Sequence, residues 1–176
     1  MRVLVTGGVR SGKSHHAEQL LAAHDSVLYL APGPTVAEDP DPDWVARIAA
    51  HQARRPSGWH TLETRDLAGA LAQASGPVLV DCLGTWLTGA LDDRRLWNAP
   101  VEEVTETVDR LVAEAAEATR ALPGDAVFVT NEVGLGVVPS HRSGRLFRDL
   151  LGVVNLRMAA ACDEVHLVVA GRVLRV

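Results

Sequence analysis

Apolar residues fall along this chain in two alternating patterns. Short continuous runs rich in Val and Leu are separated by longer stretches in which apolar positions recur every third or fourth residue. That alternation predicts a mostly parallel sheet flanked by crossover helices. Arg2–Thr6 reads as a buried strand, followed by a helix from about Lys13 to Ala23. Ser26–Leu30, Pro77–Asp81 and Ala126–Thr130 read as further strands, the last two introduced by Ser75-Gly76-Pro77 and Pro123-Gly124-Asp125. Val165–Ala170 reads as the last strand, broken by Gly171, and His60 falls in an edge strand. In the longest helix Val101, Val104, Val108, Leu111, Val112 and Ala115 share one side, Pro100 pre-sets the first turn, and Glu102 and Glu103 suit the positive end of the dipole. Another helix spans about Arg145 to Ala161, with Leu146, Leu150, Val153, Val154 and Met158 on one side. The stretch from Ala31 to Asp43 holds four prolines and four acids. It reads as a surface connection that moves during turnover and leads into a helix over Asp43–Arg54.

Composition narrows the class. The 176 residues favour one domain, 1–176, at roughly 100–200 residues per domain. An apolar content of 47% is globular, and a net charge of −5 argues against a nucleic-acid partner bound by a broad basic face. Cys82 and Cys162 lack CxxC spacing, so neither a four-ligand zinc site nor a disulfide framework is expected. The apolar run after Met1 is too short for a signal peptide, and no segment approaches the ~18 apolar residues of a membrane span. A cytoplasmic location is the simplest expectation.

The chemistry begins at Gly7-Gly8-Val9-Arg10-Ser11-Gly12-Lys13-Ser14, which fits G-x-x-x-x-G-K-[ST] between a strand and a helix. Glycines let the backbone N–H groups turn towards phosphate oxygens, and the helix N-terminus adds partial positive charge. Lys13 is placed for the β- and γ-phosphates of GTP or ATP, and the Ser14 hydroxyl for Mg²⁺. The fold is therefore expected to be a single-domain P-loop NTPase-like α/β domain. Asp81, closing an apolar strand, is the candidate second Mg²⁺ ligand, although an Asp there also caps a following helix. A GTPase would carry N-K-x-D to read guanine, and it is not present; Thr130-Asn131-Glu132 has Glu where Lys is needed. Arg142, Arg145 and Arg148 line one side of a helix start, either as a solvated basic face or as a site for the phosphate of a second substrate.

Several motifs together resemble the bifunctional adenosylcobinamide kinase / adenosylcobinamide-phosphate guanylyltransferase family of cobalamin biosynthesis. They are Leu4–Ser14, the R-I-x-x-H-x-x-x-R-P-x-x-W-x-T-x-E pattern from Arg47 to Glu63, Asp81-Cys82-Leu83 with Trp86-Leu87-Thr88, Val129–Pro139, Phe147–Asn155 and Asp163-Glu164-Val165. The resemblance implies two reactions: phosphorylation of adenosylcobinamide by a nucleoside triphosphate, then transfer of GMP from GTP to adenosylcobinamide phosphate through a covalent histidine–GMP. The family's nucleophile falls on His51. A neutral imidazole is a competent nitrogen nucleophile near pH 7. Arg54 and Arg55 share its helical face and are placed to steady phosphates. The resemblance also puts Glu63 and Asp81 near GTP, where the Glu63 carboxylate matches the two adjacent donors of guanine. Asn131 and Glu132, at a strand's carboxyl end, are assigned to catalysis or corrinoid positioning. The resemblance further implies a homotrimer with the nucleotide-bearing helix near a subunit boundary; Trp44, Trp59 and Trp97 suit such an interface or the core.

This chain departs from the family pattern at Ala31-Pro32-Gly33, where a hydroxyl is usual, and at Gly84 and Gly89, where bulkier residues are usual. The alternatives to a bifunctional enzyme are a P-loop kinase without guanylyltransferase activity, with His51 inert, and a non-catalytic nucleotide-binding regulator.

Overall fold

The computed structural model describes all 176 residues. Its strands are β1 (Arg2–Gly7), β2 (Leu28–Ala31), β3 (His60–Glu63), β4 (Val78–Asp81), β5 (Ala126–Val129), β6 (Glu164–Val169) and β7 (Arg172–Arg175). They form one sheet in the order β3-β2-β4-β5-β1-β6-β7, parallel except for the β6–β7 pair. The helices are α1 (Lys13–Leu20), α2 (Pro42–Arg54), α3 (Leu67–Gln73), α4 (Leu83–Asp93), α5 (Val101–Ala121) and α6 (Arg142–Ala159).

The continuous apolar runs have a simple cause: both faces of the central strands are covered. Leu4, Leu30, Val78, Val80, Ala126 and Phe128 face a large core completed by α3, α4, α5 and α6. Their neighbours Val3, Val5, Tyr29, Leu79, Val127 and Val129 face a smaller cluster closed by Ala17 and Leu21 from the first helical segment and by Trp59. The periodic positions read from the sequence are the buried ones on α5 (Val104, Val108, Val112, Ala115) and α6 (Leu146, Leu150, Val154, Met158). Val101 is exposed and Val153 only half-buried.

Two expectations need correction. The first helix stops at Leu20, and Leu21–Ala23 continue as turns that place the buried Leu21 against the sheet. Gly171 does not end the structure: Ala170 (φ 49°) and Gly171 (φ 76°) make a two-residue turn into β7, a hairpin whose positive angles match strand twist. Helices α3 and α4 bury residues at three- and four-residue spacing, Leu67, Ala70 and Leu71 on α3 and Leu83, Trp86, Leu87, Ala90 and Leu91 on α4. α3 is nucleated by the Asp66 carboxylate accepting from Gly69 N–H.

Candidate nucleotide site at the carboxyl edge of the sheet

The glycine-rich loop leaves β1 at Gly7, where a side chain would collide with the Val168 carbonyl and the Ser11 hydroxyl. Gly12 takes φ 96° to turn the chain into α1. Lys13 is buried under this loop, and its Nζ donates to the Gly8 carbonyl at 3.0 Å. Burial pulls its pKa below the ordinary lysine value, with the Cys82 and Asp81 charges opposing.

Asp81 ends β4 beside this cradle, joined to Cys82 by a cis peptide bond. Tyr29, on neighbouring β2, donates its hydroxyl to Asp81 Oδ2 at 3.1 Å, and His51 Nδ1 lies 3.5 Å from the same oxygen. Burial would raise the pKa of this carboxyl. The hydrogen bond and charge of His51, then the Ser14 and Tyr29 hydroxyls, outweigh burial and hold it below the usual carboxylate range.

His51 arrives on α2. Asp41 caps that helix by accepting from the N–H groups of Asp43 and Trp44, with Pro42 at its first turn. None of its residues is buried. Polar and stacking tethers hold it instead: Trp44 Nε1 donates to the Pro34 carbonyl (2.9 Å), and Arg54 makes a two-pronged contact with Glu18 (3.2 and 3.1 Å). Just past the helix, Arg55 lies 3.5 Å above the Tyr29 ring and donates to Thr61 Oγ1 and the His51 carbonyl. Laid across the sheet edge, α2 separates a half-enclosed cavity of about 230 Å³ from a more open groove of about 910 Å³ along the P-loop. His51, Lys13, Trp44 and Arg47 line both. The imidazole thus lines the same groove as the P-loop residues Arg10 to Ser14.

The other expected residues divide clearly. Val9, Lys13, Arg55, Glu63, Asp81 and Asn131 line the half-enclosed cavity, and Arg10, Ser11, Gly12, Ser14 and Arg54 line the open groove. The Glu132 carboxylate turns back to accept from Gly134 N–H. Arg142 donates to the carbonyls of Trp97 and Ala99, and Arg145 to those of Pro139 and Ser140. These two arginines are exposed, as a solvated face requires, and they also brace the chain entering α6. His24 pairs with Asp125, His15 with Gln19, and His16 with the buried His166; His60 and His141 are exposed. Trp59 belongs to the smaller core cluster, while Trp97 is half-buried against the larger one.

The departures are accommodated. Gly33 faces the Trp44 ring, Gly84 leaves room for the Asn131 amide, and Gly89 for the Arg65 guanidinium. Tyr29, Trp44, Arg47 and Thr61 were not foreseen as site residues. Tyr29 offered one signal, a hydroxyl in a buried strand that must find an acceptor.

Comparison with known proteins follows this geometry. A family model described as cobinamide kinase / cobinamide phosphate guanyltransferase matches residues 3–176. A bifunctional adenosylcobalamin biosynthesis protein CobU from Salmonella typhimurium is 40% identical over 181 residues, covering 97% of both chains. Its Escherichia coli namesake is 38% identical over 179 residues, again with 97% of each covered. The bifunctional adenosylcobalamin biosynthesis protein CobP of Pseudomonas aeruginosa is 39% identical over 178 residues, covering 97% of this chain and 94% of its own.

Proposed function

The chain belongs to the cobinamide kinase / cobinamide phosphate guanyltransferase family, and from that premise we propose that it phosphorylates adenosylcobinamide and then moves GMP from GTP onto the resulting phosphate. The intermediate is a covalent GMP on His51, and the product is adenosylcobinamide-GDP. The observation that carries this reading is a single imidazole lining both cavities beside Lys13 and Asp81. A kinase without the transferase is less favoured, because the matched family joins both activities in its description.

In the kinase step the P-loop amides and Lys13 hold the triphosphate, and catalysis is mostly positioning and charge stabilisation. The Ser14 hydroxyl and the Asp81 carboxylate are hard oxygen donors within reach of each other, and they fit Mg²⁺, an ion that keeps several waters and takes its remaining oxygens from phosphates. When bound there, it neutralises charge on the phosphoryl oxygens. In the transferase step His51 attacks the α-phosphorus and pyrophosphate leaves. The P–N bond then keeps GMP activated until the phosphate of the second substrate displaces it. Glu63, at the rim of the half-enclosed cavity, supplies two acceptors for the guanine N1–H and N2–H₂ groups. Arg55 presents its charge to the same cavity, whereas Arg54 must leave Glu18 before it can meet a phosphate. The whole chain 1–176 acts as one domain, and three copies make the working particle.

Intact-mass measurement after incubation with GTP and Mg²⁺ tests the central point. Wild type gains the mass of one GMP and His51→Ala gains none; an equal adduct on both overturns the assignment.

A further inference from the structure

His51 has two ring nitrogens, and the site treats them differently. Nδ1 faces Asp81 Oδ2 at 3.5 Å, and that same oxygen accepts the Tyr29 hydroxyl at 3.1 Å. Both residues behind the imidazole are fixed. Asp81 ends a strand paired on each side by β2 and β5, and Tyr29 sits in β2 opposite Leu79 of β4. Arg55 ties ring and backbone together: its guanidinium rests on the Tyr29 ring, and its Nε donates to the His51 carbonyl. A carboxylate with only a tenth of its side chain exposed needs donors; it receives them from Tyr29 and Ser14, and the imidazole edge stands 3.5 Å away as the next.

We infer that Tyr29 and Asp81 are positioning residues that choose the nitrogen of His51 to be guanylylated: Asp81 holds Nδ1–H, and Nε2 is the atom that bonds phosphorus. The inference rests on the covalent-histidine reading and deepens it. A carboxylate acceptor at Nδ1 fixes the tautomer in which the Nε2 lone pair is free. That pair attacks the α-phosphorus of GTP, the bond from phosphorus to the bridging oxygen breaks, and pyrophosphate carries away the electron pair. The ring becomes cationic, still bearing its Nδ1 proton, and Asp81 faces that new charge directly. When the phosphate oxygen of the second substrate attacks, the P–N bond breaks, its electrons return to Nε2, and the ring is neutral again. No proton leaves Nδ1 in either half. Tyr29 acts one step further out, keeping Oδ2 aimed by a hydrogen bond that does not compete for the imidazole proton.

The test uses the full-length protein. It is self-guanylylated with GTP and Mg²⁺, and the linkage is read by ³¹P nuclear magnetic resonance with ¹⁵N-labelled histidine, against synthetic Nδ1- and Nε2-phosphoramidates of GMP. Signal from the Nε2 isomer on His51 is expected. An adduct on His51 through Nδ1 sinks this inference and leaves the covalent reading standing, whereas no adduct on His51 sinks both. Tyr29→Phe, which keeps the ring under Arg55, is expected to slow adduct formation about tenfold, the scale of one lost hydrogen bond to a charged group. Its KM for GTP should stay within about twofold, since the hydroxyl is donated to Asp81. An unchanged rate removes Tyr29 from the assignment, and a KM that rises in step with the fall in rate makes its role mere site integrity.

Discussion

Lys13 shows how far one residue can be read in advance. Its spacing after Gly12, between a strand and a helix, leaves few roles other than phosphate binding, and the structure buries its ammonium under the loop, on the Gly8 carbonyl. A ligand phosphate offers a stronger, charged acceptor in place of that carbonyl. Lys13→Ala is expected to cost both half-reactions about 10²-fold or more, the usual toll for removing a preorganised charge from a transition state, measured as the rates of phosphoryl transfer and of GMP adduct formation. A loss confined to one half-reaction would mean two separate triphosphate sites. Asp81 and His51 were legible in different ways. Asp81 follows from its place at the end of an apolar strand, whereas His51 is one of seven histidines and only the surrounding motif singles it out. Tyr29 and Trp44 stayed hidden because their contacts, the Asp81 carboxylate and the Pro34 carbonyl, are set by tertiary approach. The carbonyls that Arg142 and Arg145 brace were hidden for the same reason: a basic stripe says nothing about which carbonyls will reach it.

At the scale of the element, α2 stands apart from the other helices because no residue on it is buried. Burial of apolar surface is the main source of helix stability in proteins, so α2 depends on its caps and tethers. One tether lies in the segment that precedes it. Glu38 accepts from Thr35 N–H (2.8 Å) and from the Arg65 guanidinium (3.0 and 2.9 Å), while Arg65 also reaches Asp93. The backbone hydrogen bond first, and then Arg65, hold the Glu38 carboxyl below its ordinary pKa. A depressed carboxyl stabilises the folded state above its unfolded value, about 4.3, and that contribution disappears as pH falls through the lower folded value. Glu38→Gln should therefore speed amide hydrogen exchange across residues 35–54 at pH 7, and the difference from wild type should close below about pH 4. Persistence of the difference at pH 3 would trace it to packing rather than charge. GTP should slow exchange in the same helix, by bridging it to the P-loop. The β6–β7 hairpin supplies a second case. Ala170 sits at φ 49°, which costs an L-residue roughly 1–2 kcal/mol, and Asn tolerates that region far better. Ala170→Asn is expected to add about 0.5–1 kcal/mol, seen as a rise in Tm of about 1–4 °C.

For the whole molecule, periodicity revealed which residues are buried but not which strands are neighbours. The runs at β1, β2, β4, β5 and β6 were legible because both their faces are covered. β1 lies between β5 and β6, an arrangement that no local pattern encodes. Strand β7 was missed because, at an edge and exposed along its length, it carries no burial signature. The surface poses a complementary question. Leu135 and Val137 are 89% and 95% exposed, with Val133 and Val138 also open, in a loop that follows β5 at the carboxyl edge. Clustered apolar exposure of this kind marks an interaction site. The loop is no floppy excursion: Glu132 caps its first turn, and Arg145 grips the carbonyls of Pro139 and Ser140 at its end. A rigid apolar loop costs little entropy to dock, which suits a permanent contact between subunits. If the proposed trimer is the working particle, sedimentation equilibrium on the wild-type chain returns three times the 18.8 kDa of one protomer. The double variant Leu135→Asp/Val137→Asp, which buries a charge from every copy in such a contact, should shift the population towards 18.8 kDa at micromolar concentration. If the variant keeps the wild-type mass and instead raises KM for adenosylcobinamide, the loop belongs to the corrinoid and the subunit boundary must be sought elsewhere.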